Sequence, residues 1–164
     1  MQLLTCPGCG AEFESSNTTL EKDFNALTIC RNVMYQISYF TLSLQDTYFL
    51  HQLAVDAYAV QHASDRTKPI LLTFGLVGLY LVWEKNYTGR QVQKVHMELA
   101  KTKKVWPEFA FPVSKTWLTV QDVVSVQDGE KLEMIKTWNN SVWSIWKENA
   151  VEKVEVLLQR IEKD

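Results

Sequence analysis

Cysteine is scarce in this chain, which has only three in 164 residues. So small and odd a number excludes the disulfide-rich class of secreted proteins and favours a reducing compartment. The first residues, Met1 to Thr5, also lack the basic start and the long apolar core of a signal peptide. We therefore expect a cytoplasmic protein.

Excess positive charge and long apolar runs are missing as well. The net charge is −2, which argues against nucleic acid or an anionic membrane surface as a partner. The longest apolar stretch, residues 70–83, contains Thr73 and two glycines and is shorter than the roughly 20 residues that span a bilayer. We expect neither a membrane nor a nucleic-acid partner, which leaves the partner unknown and another protein as the remaining class.

Hydrophobic residues make up 46% of the chain, enough for one core, so we expect a single domain over residues 1–164. They recur mostly at helical spacings, and few stretches alternate with the period of two that strands need. The pattern predicts an all-α bundle of about five to six helices with a loop-rich N-terminal segment. Its predicted parts are the N-terminal segment (1–18), a helical hairpin (19–63), the third and fourth helices (69–104), a proline- and tryptophan-containing loop (105–118) and the C-terminal helices (119–164).

Capping residues and helix breakers predict where each helix begins and ends. The predicted helices run from Thr19 to Leu42, from Tyr48 to His62, from Ile70 to Lys85, from the cap Thr88 to about Lys104, from the cap Thr119 with Asp122 to Val126, and from Glu130 to Lys163 with a kink at Asn149. In the last helix Trp138, Val142 and Trp146 share one face and are predicted to be core residues. If the chain has a pocket, we expect it beside the loop from Trp106 to Trp117.

The strongest chemical motif is Cys6-Pro7-Gly8-Cys9-Gly10. Two thiols three residues apart on a loop bent by proline and glycine can bind one metal ion together, as in a zinc knuckle. A closed structural zinc site has four ligands, usually thiolates with or without imidazole. The remaining candidates are Cys30, His51, His62 and His96.

Helix geometry decides which histidine can complete this site. In an antiparallel hairpin with the predicted bounds, residues at one level have numbers that sum to roughly 90, which puts Cys30 within about one turn of His62. His51 lies roughly 16 Å from His62 along the same helix, so the two cannot share an ion. The sequence therefore predicts a structural Zn²⁺ held by Cys6, Cys9, Cys30 and His62, with His51 as the other candidate for the fourth position.

Two neighbouring predictions depend on the same geometry. Asp65, three residues after His62, is expected to orient the His62 imidazole without itself binding the metal. His96 is expected to be a solvated residue of the fourth helix.

An enzymatic alternative uses the same helix. His51, Asp56 and Tyr58 would line a cleft of a zinc-dependent enzyme. Asp56 stands about 140° around the helix from His51, so it is expected to point away from the histidines, towards Gln52 or another helix. A closed site leaves no position for water, whereas a catalytic zinc keeps one open, and that difference separates the two hypotheses.

These motifs resemble an uncharacterised bacterial family, a domain of unknown function whose members begin with Cys-Pro-Gly-Cys-Gly-Ala. The matching residues are Cys6 to Ala11, Cys30, the segment from His51 to His62 with Val55 to His62 as its most specific part, Trp106-Pro107 with Pro112, residues 118–123, and Trp138 with residues 141–143 and Trp146. The resemblance spans nearly the whole chain and supports Cys30 as a ligand. Relatives carry a histidine near the position of Gly75. The family implies no known activity, and its motif with both histidines and Asp56 is the reason to retain the enzymatic alternative.

Overall fold

Helices make up most of the computed structural model, which describes residues 2–14, 17–102 and 105–163. Its content is 62% helical, as the periodicity predicts. Within the described residues the elements are β1 (Leu3–Thr5), β2 (Glu12–Glu14), α1 (Thr28–Ser43), α2 (Leu50–Gln61), α3 (Pro69–Lys85), α4 (Gly89–Lys101), α5 (Val120–Ser125) and α6 (Asp128–Ile161).

Helix α2 lies at the centre of the bundle. It packs against α1, α3, α4 and α6, and its buried side chains cover most of its circumference. Two side chains of α6 form hydrogen bonds to α2. Trp138 donates from Nε1 to the Gln61 side chain (3.0 Å), and Asn139 donates to the Leu53 carbonyl (2.7 Å). A buried polar group needs such a partner, so these bonds fix the position of α6 on α2.

The start of the first helix differs from the prediction, since α1 begins at Thr28 and not at Thr19. Residues 19–27 form a loop closed by a bridge between Leu20 and Leu27. Within it, the Asn25 amide donates to the His62 carbonyl at 2.7 Å. The apolar residues there have helical spacing, but they anchor a loop against the end of α2, so tertiary contacts override the local pattern.

The N-terminal segment contains a small antiparallel hairpin that the sequence analysis missed. Strand β1 pairs with β2 through Leu3 with Glu14, Leu4 with Phe13 and Thr5 with Glu12. Strands of three residues are too short to show an alternating pattern. The hairpin places the Cys-Pro-Gly-Cys motif at its tip. Met1, Ser15 and Ser16, which belong to the predicted loop-rich segment, lie outside the described residues.

Two other helices begin at their predicted caps. Thr88 accepts a hydrogen bond from the Gln91 amide at the start of α4, and Thr119 forms the predicted capping box with Asp122 at the start of α5. The predicted end of the fourth helix near Lys104 falls outside the described residues, and α4 ends at Lys101.

Helix α6 continues through Asn149, where a kink was predicted. The Asn149 side chain instead donates to the Ala110 carbonyl at 2.9 Å, which ties the proline-containing loop to the helix. Trp138, Val142 and Trp146 are buried as predicted. None of the helices in the described part of the chain combines the length and apolarity needed to cross a bilayer.

Candidate metal centre

The turn between β1 and β2 brings the first two thiols together. The Cys6 amide donates to the Ala11 carbonyl and the Gly10 amide to the Cys6 carbonyl, both at 2.8 Å. Gly10 has a φ of +80°, a left-handed conformation that glycine adopts at little cost. Gly8 is needed for a different reason, because a Cβ there would lie 2.4 Å from the Asn25 carbonyl oxygen and 2.7 Å from Cδ2 of His62.

Cys30 from α1 and His62 from the end of α2 meet this turn. The donor atoms of Cys6, Cys9, Cys30 and His62 all lie within 4.8 Å of one another, and all four residues are buried. The Sγ atoms of Cys9 and Cys30 are 3.8 Å apart, and Cys30 Sγ lies 3.4 Å from His62 Nε2. The side chains predicted as ligands thus form one group that could hold a metal ion.

Two separations within this group lie close to those of a tetrahedral zinc site. With Zn–S near 2.3 Å and Zn–N near 2.0 Å, a tetrahedral site has edges of about 3.8 Å between sulfurs and about 3.5 Å between sulfur and nitrogen. The observed separations of 3.8 Å and 3.4 Å lie close to those values. All three cysteines are free thiols, so no disulfide competes for them.

The His62 ring presents a lone pair to the thiols. Its Nδ1 lies 2.8 Å from the Tyr58 carbonyl oxygen, and because a carbonyl only accepts, Nδ1 carries the proton. In the neutral ring Nε2 then carries the lone pair and faces Cys30. Orientation of a ligating imidazole through its other nitrogen is usual in metal sites. The predicted role of Asp65 was wrong, since Asp65 is exposed and the Tyr58 carbonyl orients the ring.

Electrostatics within the cluster favour a cation at its centre. Hydrogen bonds from Cys30 and then Cys9 hold the pKa of the Cys6 thiol far below its ordinary range. The contact with Cys6 raises the pKa of the Cys30 thiol far above its ordinary range. Each further negative charge is therefore costly among three crowded, buried thiols, and a divalent cation supplies the charge that stabilises all three thiolates.

His51 lies apart from this group, at the other end of α2. Its Nδ1 is 2.9 Å from the Thr41 hydroxyl, whose proton is directed to the Ser38 carbonyl, so Nδ1 is the donor. The predicted register is confirmed by two contacts, Thr41 with His51 and Cys30 with His62. In each pair the residue numbers sum to within two of the predicted value of roughly 90. Burial lowers the pKa of His51 below its ordinary value.

His96 is not the solvated residue that the sequence predicted. Its Nε2 donates to the Phe74 carbonyl at 2.8 Å, and its ring stacks on that of Phe74. Burial is the main reason why the pKa of His96 falls to about 4, so the ring is neutral near pH 7.

Asp56 points away from the histidines, as predicted. Its carboxyl accepts a hydrogen bond from Gln52 at 3.0 Å and packs against Gly78 of α3, where a Cβ would lie 1.9 Å from Oδ2. Burial raises the pKa of Asp56 well above its ordinary value, and the Gln52 bond opposes only part of that rise. Because Gly78 has no side chain, it leaves the space in which the Asp56 carboxyl lies.

Two cavities bear on the enzymatic alternative and on the predicted pocket. One of about 430 Å³ is lined by Asp56 and Tyr58 together with Gln52, Arg31 and His96, but His51 is not among its lining residues. The proposed catalytic set is therefore not brought together. Sequence reasoning missed Arg31 and His96 in this lining, although Arg31 directly follows the ligand candidate Cys30.

The second cavity, about 460 Å³, lies beside Trp106 and Pro107 where a pocket was expected.

Comparison with known proteins identifies a family but no activity. No curated protein matches this chain, and no solved structure does. A family model described as a family of unknown function, DUF5946, matches residues 4–147. Because the match covers most of the chain, this protein belongs to the DUF5946 family of unknown function.

Proposed function

We propose that this protein is a zinc-binding helical module in which Cys6, Cys9, Cys30 and His62 hold one structural Zn²⁺. The observation that carries the proposal is the convergence of three buried thiols on the unprotonated Nε2 of His62. The metal fastens the N-terminal hairpin to the open end of the α1 and α2 pair, and the protein acts as a binding or regulatory module.

The donor set selects the metal. Thiolate and imidazole ligands suit zinc, whereas Mg²⁺ and Ca²⁺ prefer oxygen. Three sulfurs and one nitrogen at tetrahedral spacing are typical of structural zinc. Thiols that must stay reduced to bind metal suit a reducing compartment, which supports the cytoplasm as the location.

A closed ligand set supports a structural role over a catalytic one. Four protein donors saturate a tetrahedral zinc and leave no position for water. All four residues are at most 4% exposed, so a substrate has no direct access to the metal. Zinc chemistry at His51, Asp56 and Tyr58 would need a second ion, and His51 is apart from the cavity that the other two line.

Metal analysis of matched variants tests this proposal. We expect one zinc per chain, and X-ray absorption at the zinc edge should show three sulfur neighbours and one nitrogen neighbour. His62→Ala and Cys30→Ser should lose zinc, whereas His51→Ala, which removes the other imidazole of the same helix, should keep it. Full zinc content in Cys30→Ser, or a water oxygen in the coordination shell, would contradict the closed site.

A further inference from the structure

The cavity of about 430 Å³ lies between α1, α2, α3 and α4 and includes none of the four metal-ligand candidates. Its walls are largely apolar, with Met34, Val55, Ile70, Leu71 and Phe74 among them. Pockets of this size and lining hold small molecules, whose orientation is fixed by a few polar groups. Those polar groups decide what kind of ligand fits.

Arg31 brings a positive charge to this cavity. Its guanidinium lies over the rings of Tyr35 and Tyr58, 5.2 Å and 5.1 Å from their centroids. Within residues 2–14, 17–102 and 105–163, its side chain forms no ion pair with a carboxylate, and the ion pairs present there all use lysines. Arginine remains charged in proteins, so this half-buried cation favours an anionic ligand.

The Tyr58 hydroxyl belongs to a ring that lines the cavity beside Arg31. It is fully buried, and no group of the described residues forms a hydrogen bond with it. Because this hydroxyl has no accessible surface, a ligand in the cavity meets the Tyr58 ring, and Arg31 is the group that binds an anion.

The other polar groups of the cavity are hydrogen-bonded to one another. Gln52 donates to Asp56 at 3.0 Å and to Nδ1 of His96 at 3.4 Å, and His96 donates to the Phe74 carbonyl. Burial favours the protonated, neutral form of Asp56 and the neutral form of His96. These groups offer hydrogen bonds without a fixed charge, so Arg31 determines the charge preference of the cavity.

We propose that this cavity binds a small monocarboxylate with an apolar body, whose carboxylate contacts the Arg31 guanidinium. The body lies against Met34 and Phe74. The inference goes beyond the zinc site, because none of its contacts involves the metal ligands. The competing arrangement, an ammonium group on an ionised Asp56, is an outcome of the same test.

Three probes with one carbon chain and different head groups distinguish these outcomes. Titration calorimetry should show that octanoate binds roughly tenfold or more tightly than octanamide, because a carboxylate gains a charge-assisted hydrogen bond from arginine. Octylamine should bind more weakly still. Equal binding of octanoate and octanamide, tighter binding of octylamine, or no binding of octanoate at millimolar concentration would overturn the proposal.

Variants locate the effect in the cavity. Arg31→Gln should abolish the preference for octanoate over octanamide, whereas Arg160→Gln, which removes the same charge from the exposed face of α6, should preserve it. Ala59→Phe leaves Arg31 in place and fills the cavity, so it should block both probes. Zinc content and the melting curve, measured on each sample, show that a loss of binding does not come from loss of the metal or of the fold. A preference that persists in Arg31→Gln, or octanoate binding undiminished in Ala59→Phe, would reject this cavity as the site.

Discussion

The two ends of the α1 and α2 pair are closed by different chemistry. At one end Thr41 of α1 contacts His51 of α2, and at the other Cys30 contacts His62. Both imidazoles donate from Nδ1, so they share a tautomer. They differ in what surrounds Nε2: the ring of His62 is buried against three thiols, whereas His51 is only half-buried.

The chain itself explains this difference. Residues 44–49 link the helices at the His51 end, where the Phe49 backbone has a left-handed φ of 62°. Because the chain itself joins the two helices there, the hydrogen bond between Thr41 and His51 is enough to close that end. No such short link joins the helices at the His62 end. The N-terminal hairpin closes that end from outside, and its two thiols complete the candidate metal site. A covalent connection and the proposed metal cross-link would thus perform the same task at opposite ends of one pair of helices.

Metal removal is expected to have the largest effect on the difference in stability between the two ends of the α1 and α2 pair. Binding of a structural zinc contributes on the order of 10 kcal/mol in small zinc modules. With a chelator, we expect the amide protection of Cys6, Gly10 and Asn25 to fall by at least about 100-fold, because their hydrogen bonds depend on the site. Hydrogen exchange with mass spectrometry measures this. Amides near Leu50 serve as the internal control, and equal loss at both ends would contradict a local cross-link.

A methyl group at Gly8 should weaken the same end by less. Gly8→Ala places a Cβ against the Asn25 carbonyl and the His62 ring, and such overpacking costs about 1 to 3 kcal/mol. We expect lower stability in denaturant unfolding together with weaker zinc affinity.

Gly10→Ala is the matched control for that variant. No atom lies within 4 Å of a Cβ at Gly10, so its cost comes only from the left-handed backbone, about 1 to 2 kcal/mol. Its loss of zinc affinity should be the smaller of the two. If Gly10→Ala weakens zinc binding as much as Gly8→Ala, close packing against His62 is not what the glycine provides.

The smallest effect is expected at the end without a metal. Thr41→Val removes one hydrogen bond to His51 and should lower the free energy of unfolding by about 1 kcal/mol, with zinc content unchanged. A double-mutant cycle with His51→Gln isolates the pair. A coupling energy near zero would mean that packing alone, and not this hydrogen bond, holds the linked end.

Much of this arrangement follows from the sequence because it depends on regular geometry. The period of an α-helix and the short link between two helices fix which residues share a level, so the pairing of Cys30 with His62 and the remote position of His51 were predictable. The pairing of Asp56 with Gln52 follows from the same geometry.

What the sequence did not predict depends on contacts between distant segments. Residues 19–27 have helical spacing but form a loop, because the Asn25 amide bonds to the His62 carbonyl. The His62 ring is oriented by a backbone carbonyl, which no side-chain motif encodes. Arg31 and His96 line one cavity only because α1 and α4 both approach α2.

The order of the ligands along the chain has a consequence for folding during synthesis. All four metal-ligand candidates precede α3, whereas α6, which covers α2 through Trp138 and Asn139, leaves the ribosome after α1 to α5. Chains fold as they emerge, and early segments wait with their apolar surface exposed. The proposed zinc would therefore join the nascent α1 and α2 before α6 is made, and would protect this early part of the chain from misfolding.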